Sequence, residues 1–268
     1  MLRVICCRAA AAWALVLLAL TPFHSARAAT EVDLALVLAV DISYSMDTEE
    51  QALQREGFAQ AFKSPLVHDA IRRGTLGRIA VTYVEWAGSG DQKVIVPWSV
   101  LDNPESVLAF ADRIASVPLR RAQRTSVSGA IDFSAKLLAE SGLEATRQVI
   151  DISGDGPNNQ GRPVVAARDD TVAQGITING LPIMLKKPGY LDVPDLDVYY
   201  RDCVIGGQGS FMVPIRERDQ FAQAIKTKIL LEVAAAPPAQ GLVRKAQDVP
   251  RISCMIGETQ WRDRMGNE

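Results

Sequence analysis

From Val32 to Val40 the chain carries one charge, Asp33, and otherwise only apolar side chains, and the run ends on Asp41. A stretch of that length and composition reads as a strand covered on both faces, the interior position of a parallel sheet. Directly after it comes Asp41-Ile-Ser43-Tyr-Ser45-Met46. In open α/β sheets ligands collect beyond the carboxyl ends of the strands. Alternate residues of extended chain share a side, so Asp41, Ser43 and Ser45 offer three hard oxygens together. With no nitrogen or sulfur among them, that donor set suits Mg²⁺ better than zinc.

The pattern downstream predicts alternating helices and strands. Asp47-Thr-Glu-Glu50 supplies an N-cap and acidic first-turn residues, followed by Leu53, Gly57, Phe58, Ala61 and Phe62 at helical spacing; Ser64-Pro65 ends that helix. His68 then falls in a polar loop and reads as solvated. Gly77–Trp86 and Lys93–Trp98 read as strands joined by Gly88-Ser-Gly-Asp91, an antiparallel hairpin whose Pro97 fits an edge. Val107, Ala111 and Ile114 mark a helix. Thr125 or Ser126 caps the next, whose apolar face is Val127, Ile131 and Leu138. Arg147–Ser153 is a fourth strand delivering Gly154-Asp155-Gly156-Pro157-Asn158-Asn159, which by itself reads equally as a tight turn. Ile176–Met184 reads as a fifth strand and Phe211–Val213 as a short sixth at a sheet edge. Phe221, Ile225 and Ile229 mark a last helix near Ala235, followed by Ala236-Pro-Pro-Ala239 and a polar tail containing Trp261.

Asp41-x-Ser43-x-Ser45 at the end of a buried strand resembles the metal-ion-dependent adhesion site of von Willebrand factor A (vWA) domains. The resemblance extends over residues 31–235. It places the family's later threonine at Thr125, with Ser126 as the alternative, and its second aspartate at Asp155. Arg124 and Gln123 stand where many members have glycines. The implied fold is α/β, a three-layer Rossmann-like vWA fold: a mostly parallel central sheet of about six strands, one antiparallel edge strand, and helices on both faces. The resemblance implies that Ser43, Ser45 and Thr125 ligate Mg²⁺ (Mn²⁺ or Ca²⁺ as alternatives) through hydroxyls, while Asp41 and Asp155 act mostly through water. A partner protein's acidic side chain completes the ion, so the implied output is binding rather than catalysis. The match is nearest to an exported bacterial vWA-like group of unknown function.

Residues 1–28 read as a signal peptide, with Arg3 and Arg8, an apolar stretch Ala9–Leu20, and a small-x-small site at Ala26-Arg27-Ala28. The apolar stretch is about 12 residues, short of the roughly 20 that span a bilayer. This predicts a periplasmic or extracellular protein, with residues 236–268 as linker and tail. Removing Arg3, Arg8 and Arg27 leaves 26 basic residues against 31 acidic, a balance that disfavours nucleic acid or an anionic membrane as partner. Cys203 and Cys254 remain after cleavage. In an oxidising compartment they are expected to pair, the alternative being two separately buried thiols. His68 is the one histidine left, which argues against a Ser/His/Asp or Cys/His centre.

Two other readings stay open at the level of sequence. One is a vWA scaffold without metal. The other is a Mg²⁺-dependent phosphatase of the haloacid-dehalogenase type, which the Gly154–Asn159 loop resembles and in which Asp41 is the nucleophile. That family has a second Asp as general acid where this chain has Ser43, and a hydroxyl cannot serve near neutral pH. Arg120, Arg121 and Arg124 read as a solvated cluster or as a basic rim to the site. Oligomeric state is not legible from the sequence.

Overall fold

The computed structural model describes residues 29–186, 189, 193–234 and 252–265; the expected signal peptide and the linker that follows residue 235 lie outside the described residues. Five strands form one sheet in the order β3-β2-β1-β4-β5. They are β1 (Thr30–Asp41), β2 (Ile79–Trp86), β3 (Gln92–Leu101), β4 (Leu143–Gly154) and β5 (Thr177–Pro182). All pairings are parallel except β2 with β3.

The central strand explains the layering. Leu34, Leu36, Leu38 and Val40 point to one face, where α1 (Thr48–Lys63), α2 (Pro65–Arg72), α3 (Pro104–Ser116) and α7 (Phe221–Ala234) supply Phe58, Phe62, Val67, Phe110 and Ile225. Ala35, Val37 and Ala39 point to the other, against α4 (Val127–Ala139), α5 (Val164–Val172) and the short α6 (Leu196–Tyr199) with its continuing wide turn Tyr200–Val204. Period-two alternation makes the first face bulky and the second small. The fold is therefore the three-layer α/β arrangement expected.

The sheet has five strands rather than about six. Phe211–Val213 and Ile215 make only isolated bridges to β5 and the residue after it. Phe211, Val213 and Ile215 do exchange backbone bonds with Gly180 and Pro182, but Pro182 has no N–H to donate back, so the ladder is interrupted there. His68 also lies differently from expectation. The chain restarts a helix at Pro65, which suits the N1 position, and His68 Nε2 hydrogen-bonds the Phe62 carbonyl at 2.7 Å. The Asp47 cap is present in full: its side chain accepts from Glu50 N, and its own N–H donates to Glu50 Oε2.

One buried polar cluster escaped the hydrophobic pattern. On α7, Lys228 is fully buried, with Nζ 2.8 Å from Asp151 Oδ1 on β4 and 2.5 Å from Glu232 Oε1; Asn179 on β5 donates to the same Glu232 carboxylate. A lysine between two buried carboxylates offsets one of their two charges, and removing it strands both. We expect Lys228→Met to lower stability by about 3–5 kcal/mol, measured as the urea midpoint at constant m-value. A loss below about 1 kcal/mol would show that the cluster is solvated.

Candidate functional site

The order β3-β2-β1-β4-β5 has a switch point between β1 and β4: connections from β1 run toward β2, whereas β4 continues to β5 on the other side. Such a point opens a crevice at the strands' carboxyl ends. Val40 pairs with Ser153, so Asp41 and Asp155 emerge side by side there.

Asp41 is fully buried; its Oδ1 accepts the Ser43 N–H at 2.7 Å, while Oδ2 makes no hydrogen bond. Burial, followed by the neighbouring Asp155 carboxylate, holds the Asp41 proton affinity well above the usual range, against the opposing bonds from Ser43 and the Asp155 backbone. Ser43 Oγ and Ser45 Oγ lie 2.6 Å apart, and Ser45 Oγ–H donates to Asp155 Oδ1 at 2.6 Å. Thr125 arrives from the loop before α4. Ser126 caps that helix, accepting from Gly129 N at 3.1 Å. With Ser126 so used, Thr125 is the hydroxyl that faces the same cavity as Ser43 and Ser45. Asp41, Ser43, Ser45 and Asp155 meet at the carboxyl ends of β1 and β4, and Thr125 lines the same cavity as Ser43 and Ser45. Among the described residues no group of three His, Cys, Asp or Glu side chains forms a metal cluster; the donors here are two carboxylates and three hydroxyls.

Several positioning residues were not evident from sequence. Asn159 holds the threonine loop through two bonds, Thr125 N–H to Asn159 Oδ1 (3.0 Å) and Asn159 N–H to Thr125 O (2.8 Å). Buried Asn158 accepts from Ser128 N and donates through Nδ2 to Glu258 Oε1 at 2.7 Å. The Gly154–Asn159 loop is thus a bracket between β4 and α4 and not merely a turn. The only sequence signal was two amides after Asp155. Gly154 has no space for a side chain: a Cβ there would stand 2.8 Å from Asp41 Oδ2 and 3.0 Å from the Tyr200 hydroxyl. Tyr200 is buried, its hydroxyl likewise has no partner, and burial together with Asp41 and Asp155 raises its pKa well above the ordinary value. Lys186 reaches the rim, with Nζ 2.5 Å from Glu50 and 3.9 Å from Asp155 Oδ2, and donates to the Ser45 carbonyl.

The three arginines before Thr125 do not form one solvated cluster. Arg120 binds Glu85 and Asp91; Arg121 donates to the Tyr44 and Met46 carbonyls. Arg124 has φ +74°, the left-handed region that favours glycine, and its guanidinium stacks on Trp261 at 3.7 Å. Trp261 belongs to α8 (Ile256–Met265), a helix that the polar tail sequence did not announce. The Cys203–Cys254 disulfide, with Cα atoms 5.5 Å apart, ties the start of that segment to the turn carrying Tyr200.

The chain belongs to the family described as "Protein of unknown function (DUF1194)", whose model matches residues 31–237. No curated protein matches it. Its fold is vWA-like. Proximal thread matrix protein 1 of the mussel byssus, described with a zinc-occupied MIDAS motif, superposes with a TM-score of 0.52 at 14% identity, over 76% of this chain and 49% of that one. The pilus adhesin SpaC of Lactobacillus rhamnosus GG, in its open conformation, gives 0.55 at 12% identity, over 75% and 30%. A von Willebrand factor type A protein from Catenulispora acidiphila gives 0.49 at 13% identity, over 75% and 43%. The chain thus spans about half or less of the length of these proteins.

Two outcomes follow from this packing. Gly154→Ala should cost about 1–3 kcal/mol in urea unfolding, because both the Asp41 carboxylate and the Tyr200 hydroxyl must give way. In a double-mutant cycle, Arg124→Gly should stabilise the Trp261→Ala background more than the wild type, with a coupling of about 0.5–2 kcal/mol. Additive effects would mean that the stack does not hold the strained backbone.

Proposed function

We propose that this chain is an exported vWA-type protein-binding module. Asp41, Ser43, Ser45, Thr125 and Asp155 hold a divalent cation, and the cation engages an acidic residue of a partner protein. The observation that carries the reading is the buried Asp41 Oδ2, which has no hydrogen-bond partner beside a ring of hydroxyl and carboxylate oxygens. A buried carboxylate oxygen left unpaired is costly, and a bound cation satisfies it. The hard-oxygen donor set fits Mg²⁺, with Mn²⁺ or Ca²⁺ as alternatives. The zinc-occupied motif of the mussel protein adds Zn²⁺ to the ions worth testing.

When bound, the ion supplies an electrophilic position for a carboxylate. The protein's own part is to hold the hydroxyls rigidly, through the Asn159 bracket and the Ser126 cap, and to exclude water from Asp41. The output is association, not bond-making chemistry. Export follows from the leader at residues 1–28, with residues 31–235 as the domain and 236–268 as its appendage. Among the described residues no helix is long and apolar enough to cross a membrane.

Calorimetric titration of Mg²⁺, Mn²⁺, Ca²⁺ and Zn²⁺ should give saturable binding of at least one ion that disappears in Asp155→Ala and in Ser43→Ala/Ser45→Ala, with circular dichroism unchanged. The ion should also raise the melting temperature of the wild type alone, since a ligand that binds only the folded state stabilises it. A folded wild type that binds none of the four ions would overturn the reading.

A further inference from the structure

A cavity of about 520 Å³ lies between the oxygen cluster and α8. Ser43, Ser45 and Thr125 line one side, and Trp261 and Arg264 the other. That volume is within the range of ligand pockets, roughly 300–1,000 Å³, and far exceeds the needs of a single carboxylate. Two guanidinium–aromatic stacks flank it: Arg124 on Trp261 at 3.7 Å, and Arg121 on Tyr44 at 5.0 Å. Arg264 approaches the Trp261 ring at 5.6 Å.

These arginines differ from their neighbour. Arg120 is committed to two carboxylates, whereas among the described residues Arg121, Arg124 and Arg264 have no ion-pair partner. Arg121 serves backbone carbonyls, and Arg124 Nη1 makes no hydrogen bond. A guanidinium stacked by its face keeps its N–H edge in plane, the geometry that receives a carboxylate. Tyr44, 55% exposed, and the half-buried Trp261 offer apolar surfaces between the charges.

α8 is held in place rather than merely adjacent. Glu258 accepts from Asn158, whose neighbour brackets Thr125. Gly257 packs so closely that an added Cβ would meet the Asn158 carbonyl at 2.2 Å. The Cys203–Cys254 bridge anchors the segment just before the helix.

We propose that α8 builds a second subsite beside the cation site. The cavity receives an acidic polypeptide segment: one carboxylate meets the cation, the next acidic group lies on the guanidinium wall of Arg124 and Arg264, and the chain between them rests on Trp261. The inference relies on the cation reading for the first contact and is independent of it for the second. Whereas that reading specifies any acidic residue, this one specifies at least two acidic groups close together in sequence.

The test uses the purified protein with its disulfide intact and hexaglutamate as probe, with hexaglutamine and glutarate as controls, titrated with and without Mn²⁺. Mn²⁺ affinity is measured separately in each variant. Arg264→Glu should weaken hexaglutamate by about tenfold while leaving Mn²⁺ affinity within about twofold. Asp155→Ala should lose the Mn²⁺-dependent part alone. Absence of binding by any of the four ions would sink the cation reading by itself; the metal-free titration then still decides the wall. Hexaglutamate binding that is absent, or unchanged in Arg264→Glu, overturns the second subsite. Glutarate binding as tightly as hexaglutamate overturns the polypeptide assignment in favour of a small diacid.

Discussion

The site depends on one constraint, the burial of a carboxylate where two parallel strands diverge. Asp41 ends a strand whose previous seven side chains, Leu34 to Val40, are all inside the protein. The same packing that drives β1 into the core takes the acid out of water. That desolvation opposes ionisation, and Asp155, just past the end of the neighbouring strand, adds to it. The protein meets only part of the acid's demand, through Ser43 and the Asp155 backbone, and leaves Oδ2 without a hydrogen bond. Everything else near the crevice is arranged around this deficit: hydroxyls alternate on the exit of β1, Gly154 leaves room, and the threonine loop is drawn in from the far side of the sheet.

Much of this was legible in the residues. The apolar run ending in Asp41-x-Ser43-x-Ser45 specified strand, position and chemistry together, because a two-faced interior strand has few other uses. The hairpin and the cap at Asp47 were equally local and equally readable. What failed to show was whatever depends on distant partners. Phe211–Val213 has strand composition, but Pro182 on the facing strand has no N–H with which to complete the ladder. Lys228 and Glu232 look like the solvated face of α7; they are buried because Asp151 and Asn179 wait beneath them. His68 sits in a helix because Pro65 starts one as readily as it ends another. α8 has almost no apolar face, so periodicity could not announce it. It is held by a disulfide, an amide and a stacked arginine.

Arg124 shows how a departure from a family pattern is accommodated. Glycine suits a left-handed backbone, and an arginine in that conformation is strained by roughly 1–2 kcal/mol. The strain sits next to Thr125, and it persists only where surrounding contacts over-determine the conformation. Here the side chain itself supplies such a contact, by reaching Trp261. The threonine loop and the appended helix are thus coupled through a residue that belongs to neither the oxygen cluster nor the core.

The disulfide also sets an order of assembly. Cys203 and Cys254 are 51 residues apart, and all five strands are complete before Cys254 emerges from synthesis. Chains tend to fold from the N-terminal side as they appear, so every strand of the sheet is available before Cys203 has its partner. The bond to Cys254 then ties α8 to the turn that carries Tyr200, and the wall of the cavity that α8 supplies is the last part of the fold to be fixed.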